Sequence, residues 1–206
     1  MARDEERAAR AAESPIVEGL PALPGILTAL RLTPGLGTHL SGLADQLLVV
    51  DHPGATISRG ERELIATAVS GGNNCFYCMD THGAFAGELL KRSDVTDFGL
   101  VVDDMKTGKR ERLSAKLASL VDIALIVRRD ARELTRADIE RALAAGASDA
   151  DTQLAVLIAS AFCMYNRIVD GFRAQTPTKV EAYNARAEQI ADHGYGDPTK
   201  ASAIPR

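Results

Sequence analysis

Apolar residues recur every three to four positions along most of this chain, and alternating runs rich in β-branched residues are scarce. This pattern predicts an all-α protein. The stretch "ALPGILTALRLTPGLGTHLSGLADQLLVV" reads as a short helix interrupted near Pro34 and Gly35, followed by a second over about 38–49. After the loop "DHPGAT", Ser58 and Glu61 have the spacing of a capping box, with Ile57 as its hydrophobic staple. They predict a helix over about 59–70, ended by Gly71 and Gly72. Asn73 or Asn74 is then placed to cap a helix over about 75–91. So short a connection predicts an antiparallel helical hairpin.

Downstream, Leu113, Leu117, Leu120, Ala124 and Val127 keep helical spacing, and Thr135 and Gly146 bracket a shorter helix as N-cap and C-cap. Residues 149–173 form the most apolar stretch and predict a central helix, within which Asn166, Arg167 and Asp170 suggest a polar network between helices. "TPTKVEAYNARAEQIADHG" predicts one more helix. The chain is read as a single domain over 15–193, between a mobile tail or frayed helix at 1–14 and a loosely ordered tail at 194–206.

Composition narrows the classes. Aromatic residues make up 4% of the 206, which fits closely packed helices with small side chains at their crossings. The formal net charge of -4 comes from interspersed acids and bases, so no face reads as a phosphate-binding stripe and no nucleic-acid partner is expected. The charged, alanine-rich N-terminal stretch has no secretory pattern, and no apolar run suggests a membrane span, so a cytoplasmic protein is expected. Three cysteines cannot build a disulfide framework. In a reducing compartment a close pair points to catalysis, redox chemistry or metal binding.

Two of those cysteines lie in "GGNNCFYCMDTHGAF". On a helix starting near Cys75, positions 75, 78 and 82 share one stripe, continued by Phe85 and Leu89. A Cys-x-x-Cys at a helix N-terminus meets unpaired amides and the helix dipole, which can bring a thiol from a pKa of about 8.5 into the range of roughly 3.5–7.5. His82, one turn beyond Cys78, is placed to exchange a proton with it. A histidine in that role needs an orienting group, and Glu63 on the preceding helix is the free candidate, because Glu61 is already used in the capping box. The dipole favours Cys75 as the attacking thiol and the histidine favours Cys78; Cys78 is taken as the proton-relayed thiol, with Cys75 as the more exposed partner that meets the reductant.

Glu63, eleven residues, Cys75-x-x-Cys78, three residues, His82: this pattern resembles the active-site signature of the alkyl hydroperoxidase D (AhpD) family. That family belongs to the carboxymuconolactone decarboxylase-like superfamily, and the match falls in its uncharacterised peroxidase-related branch. "ALPGILTALRLTPGL" and "AFCMYNRIVDGF" extend the resemblance over most of the chain. It implies an all-α AhpD-like helical bundle, a homo-oligomer, and a thiol-dependent peroxidase. The catalytic set implied is Cys75 and Cys78 as redox pair with Glu63 and His82 as proton relay, acting on hydroperoxides with an external dithiol as reductant and with neither cofactor nor metal. The chain departs from the best-known members at Tyr77, where they carry a second histidine.

Two other readings stand beside this one. A lactone decarboxylase-like enzyme on the same fold would need histidine or arginine to hold a carboxylate and would not need both cysteines. A non-enzymatic, zinc-stabilised interaction protein would use Cys75, Cys78 and His82, with Cys163 or Glu63 as fourth ligand.

Overall fold

The structure is a computed structural model and describes residues 2–11, 15–21 and 23–196. Ten α-helices follow one another among these residues: α1 (Ala2–Ala11), α2 (Ile26–Leu32), α3 (Pro34–Leu48), α4 (Arg59–Gly72), α5 (Phe76–Arg92), α6 (Phe98–Thr107), α7 (Ala115–Asp130), α8 (Arg136–Ala144), α9 (Asp149–Gly171) and α10 (Val180–His193). The described residues form no strand, only an isolated bridge between Pro24 and Gln175.

Local chemistry explains half of the helix starts. Capping boxes open α4 (Ser58 and Glu61), α8 (Thr135 and Asp138) and α9 (Ser148 and Asp151), and Ser114 caps α7. Pro34 does not interrupt a helix. It is the first residue of α3, where its missing N–H costs nothing, so α3 begins four residues earlier than expected.

Helix ends depend on more distant partners. The Arg62 guanidinium, 3% exposed, donates to the carbonyls of Val50 (2.7 Å) and Leu47 (3.4 Å) at the end of α3. Arg59 donates to Ile190 and Ala191 carbonyls at the end of α10, both at 3.0 Å, and Arg128 donates to Gly72 at the end of α4 (2.7 Å). Each places a cation where unpaired carbonyls and the helix dipole favour one.

The core lies between α4, α7 and α9. Leu64, Ile65, Val69, Leu120, Ile123, Ile158 and Phe162 are buried there. By length and composition α9 would suit a membrane span, but half of that window is buried inside the protein, as befits a core helix.

Three regions differ from the sequence reading. The segment read as a mobile tail or frayed helix at 1–14 contains the helix α1, which is tied to the body where Arg7 pairs with the buried Asp80 of α5; residues 1 and 12–14 lie outside the described residues. Helix α6 was not foreseen, although its Val101, Val102 and Met105 join the core. Gly194, Tyr195 and Gly196, assigned to a loose C-terminal tail, are docked: the Asp45 carboxylate accepts the N–H groups of Tyr195 (2.7 Å) and Gly196 (3.1 Å). Residues 197–206 lie outside the described residues.

Candidate functional site

The turn between α4 and α5 sets the site. Helix α4 closes on its glycine pair, with Gly72 rather than Ser70 as the last helical residue. Its end is a Schellman motif in which Asn74 takes the left-handed conformation (φ 56°), Cys75 N–H donates to Ser70 O (3.1 Å), and Asn74 N–H donates to Gly71 O (3.2 Å). Neither asparagine side chain caps α5. Asn73 reaches across to α9 instead, donating to Asn166 Oδ1 (2.9 Å) and approaching Cys163 Sγ (3.6 Å), while Asn166 donates to Ser70 Oγ (3.1 Å). Cys75 is the N-cap residue of α5, without a side-chain capping bond.

The small residues Ala66, Thr67 and Ser70 on α4 are fully buried, which permits close approach of its neighbours. The pairing of α4 with α5 is antiparallel: Ser70 meets Cys75 at one end and Gly60 meets Leu90 at the other. This register brings Glu63 opposite His82.

Glu63 is 1% exposed, and its Oε2 lies 2.7 Å from His82 Nδ1. An ionised carboxylate only accepts, so Nδ1 carries the proton and Nε2 is left free. The His82 ring is held edge-to-face against Phe162 (centroids 4.5 Å, 89°) and Phe85 (5.4 Å, 71°). The second carboxylate oxygen of Glu63 accepts from the Tyr195 hydroxyl at 2.7 Å, which also lies 3.2 Å from His82 Nδ1. Burial, together with the facing Glu63 carboxylate, pushes the Tyr195 phenol well above its ordinary value, so it remains a donor.

Both cysteines are reduced and buried, Cys75 at 0% and Cys78 at 3% exposure. The helix start at Cys75 is opposed by its surroundings. Its hydrogen bond with Cys78, followed by burial, pushes the Cys75 thiol far above its ordinary value, and the nearby Asp170 charge adds to the effect. Nor is Cys75 a solvent-facing thiol. Cys78, in contrast, lines a cavity of about 60 Å³ together with His82, Thr81, Tyr77 and Tyr195. The remaining walls are mostly apolar, from Ile26, Leu27 and Leu30 of α2, Leu40 and Ala44 of α3, and Phe162 of α9; Arg186 of α10 supplies a cation. Such a space admits a few water-sized groups.

Tyr77 is 5% exposed and packs against Tyr183 (centroids 6.3 Å). Burial pushes its phenol upward as well, so it cannot replace a histidine in carrying protons near neutral pH. Among the described residues, no group of three or more His, Cys, Asp or Glu side chains is arranged to hold a metal ion.

Of the four residues singled out from the sequence, Glu63 and His82 are joined by a hydrogen bond, Cys78 and His82 share the cavity, and Cys75 is hydrogen-bonded with Cys78. The residue not foreseen is Tyr195. A signal was present in the sequence: an aromatic flanked by Gly194 and Gly196 marks a tight turn that directs a side chain inward.

No family model matches the chain, and no curated protein matches it. Among solved structures it is similar to the AhpD core of an uncharacterised peroxidase-related protein from Ralstonia eutropha JMP134, with 24% identity, 76% of this chain and 78% of that one covered, and a TM-score of 0.66. It is similar also to an uncharacterised peroxidase-related protein from Silicibacter sp. TM1040, with 22% identity, 84% and 93% coverage, and a TM-score of 0.66. The chain thus has the all-helical fold of the alkylhydroperoxidase AhpD core, as found in these peroxidase-related proteins.

Proposed function

We propose that this protein is a thiol-dependent peroxidase that reduces hydroperoxides through Cys75 and Cys78, with Glu63 and His82 as proton relay. The observation that carries this reading is the buried Glu63–His82 hydrogen bond of 2.7 Å, made by a histidine that shares one mostly apolar cavity with a cysteine thiol. Nucleophile, base and orienting carboxylate are the three parts that activate a weak nucleophile.

His82 Nε2 takes the Cys78 proton, directly or through water, and the thiolate attacks the terminal peroxide oxygen. The O–O bond breaks, the alkoxide leaves as the alcohol with the proton from His82, and Cys78 becomes a sulfenic acid. The Cys75 sulfur then attacks Cys78, its proton leaves with the hydroxyl as water, and a disulfide forms. An external dithiol returns two electrons and two protons. The raised Cys75 thiol supports this order, because a proton kept on Cys75 can be donated to the Cys78 sulfur and so favours the thiolate there.

The test is peroxide consumption with a dithiol reductant by wild type, Cys78→Ser and His82→Ala. Turnover is expected to vanish in the first variant and to fall about 100-fold or more in the second. Equal rates in all three would remove the assignment. A lactone decarboxylase on this fold would instead keep its activity when Cys75 is replaced by serine.

A further inference from the structure

We propose that Tyr195 is a positioning residue of the thiol site, its hydroxyl delivered by a C-terminal strap that is latched to Asp45, and that it holds the Glu63 carboxylate and thereby the His82 tautomer. This rests on the reading of His82 as the proton carrier for Cys78.

Glu63 is buried in the centre of the molecule, and its two oxygens need two donors. His82 supplies one. Among the described residues the only hydrogen bond to the other oxygen comes from the Tyr195 hydroxyl at 2.7 Å. Take it away and a charged oxygen is left buried without a partner, free to turn and compete for His82.

Arg59, on the same helix as Glu63, ties down the end of α10 through the Ile190 and Ala191 carbonyls. Gly194 then reverses the chain with φ 72°, and a Cβ there would lie 2.7 Å from Asp45 Oδ1, so the turn requires glycine. Asp45 Oδ1 accepts the Tyr195 N–H and Oδ2 accepts the Gly196 N–H. Tied at Ile190 and Ala191 and again at the Tyr195 and Gly196 amides, the segment leaves the Tyr195 side chain little freedom.

The Tyr195 ring stacks on His82 (centroids 6.0 Å, 24°) and meets Phe85 edge-on (6.0 Å, 65°). Phenylalanine would keep that cover and remove the hydroxyl alone. The charged and titratable groups acting on this phenol are Asp45 on α3, Glu63 on α4, His82 on α5 and Arg186 on α10.

The experiment compares wild type, Tyr195→Phe, Asp45→Asn and the double variant, with thermal melts to verify folding. Tyr195→Phe is expected to lower kcat about tenfold or more while KM stays within about twofold. The acid limb of kcat against pH should move to higher pH, since loss of a donor disfavours the charged carboxylate. Asp45→Asn should give a smaller loss of the same kind, and that loss should disappear in the Tyr195→Phe background. Nitrogen NMR of histidine-labelled protein reads the His82 tautomer without peroxide. Wild type should show Nδ1 protonated, and Tyr195→Phe should show a mixture. If Tyr195→Phe folds and keeps both the wild-type pH profile and the wild-type tautomer, the proposal is overturned. Should wild type reduce no hydroperoxide at all, the peroxidase reading fails, and the tautomer comparison still decides the role of Tyr195.

Discussion

Replacement of Glu63 by glutamine changes a carboxylate into an amide of nearly the same shape, so little but charge and hydrogen-bond polarity is altered. Glu63 accepts from His82 Nδ1 and from Tyr195, each at 2.7 Å, in a site that is 1% exposed. A glutamine has one oxygen for these two donors and presents an NH₂ group to the other. Hydrogen bonds to charged groups contribute about 1.5–3 kcal/mol. With each 1.36 kcal/mol worth a factor of ten, loss of one such bond predicts a fall in kcat/KM of roughly 10- to 150-fold. If the NH₂ faces His82, Nδ1 must accept, the ring proton moves to Nε2, and the base is blocked; the fall then reaches about 1,000-fold. The assay is initial-rate consumption of an alkyl hydroperoxide at neutral pH with a dithiol donor, on protein whose melting curve shows it folded. A Glu63→Gln enzyme within about threefold of wild type would refute the idea that this carboxylate orients the histidine.

Three further outcomes are expected. Treating Cys75→Ser with one equivalent of hydroperoxide should add one oxygen to Cys78, visible by mass spectrometry and trapped by a sulfenic-acid reagent, whereas wild type should lose two hydrogens; an oxygen absent from Cys78 would reverse the roles of the thiols. Burial pushes Asp151 upward, but hydrogen bonds from Ser148, Thr56 and Ile57 outweigh it and bring the carboxyl to about 2, below its ordinary 3.8. Its stabilisation is therefore complete above about pH 4 and lost as pH falls toward 2, so melting temperature should drop across that window in wild type and far less in Asp151→Asn. Gly25 has φ 52°, and a Cβ there would come within 2.0 Å of the Tyr77 ring, so Gly25→Ala should lower the melting temperature by several degrees and disturb the Tyr77 wall of the cavity; an unchanged melting curve would contradict that packing.

What could be read directly from the chain was whatever its physics keeps within a few residues. Ser58 with Glu61 and Thr135 cap their helices through partners no more than three positions away, and the apolar period that marks α7 and α9 is likewise local. The meeting of Glu63 with His82 was legible for a related reason: a three-residue turn forces α4 and α5 antiparallel, so a contact across nineteen positions is almost a local one. Burial and distant partners were not legible. The helix-start position of Cys75 suggested activation, whereas neighbours from the folded chain withdraw it from water and bind its thiol to Cys78. Arginines 59, 62 and 128 look like surface charges in sequence and become caps for the helices α10, α3 and α4. Tyr195 reaches Glu63 across 132 positions, and its strap reaches Asp45 across 150. Short-range spacing determined the helices and the thiol motif, because capping and side-chain periodicity act over one or two turns. Only tertiary packing decided which thiol faces the cavity and which hydroxyl completes the carboxylate, because desolvation and long-range hydrogen bonds do not exist until the helices have closed around them.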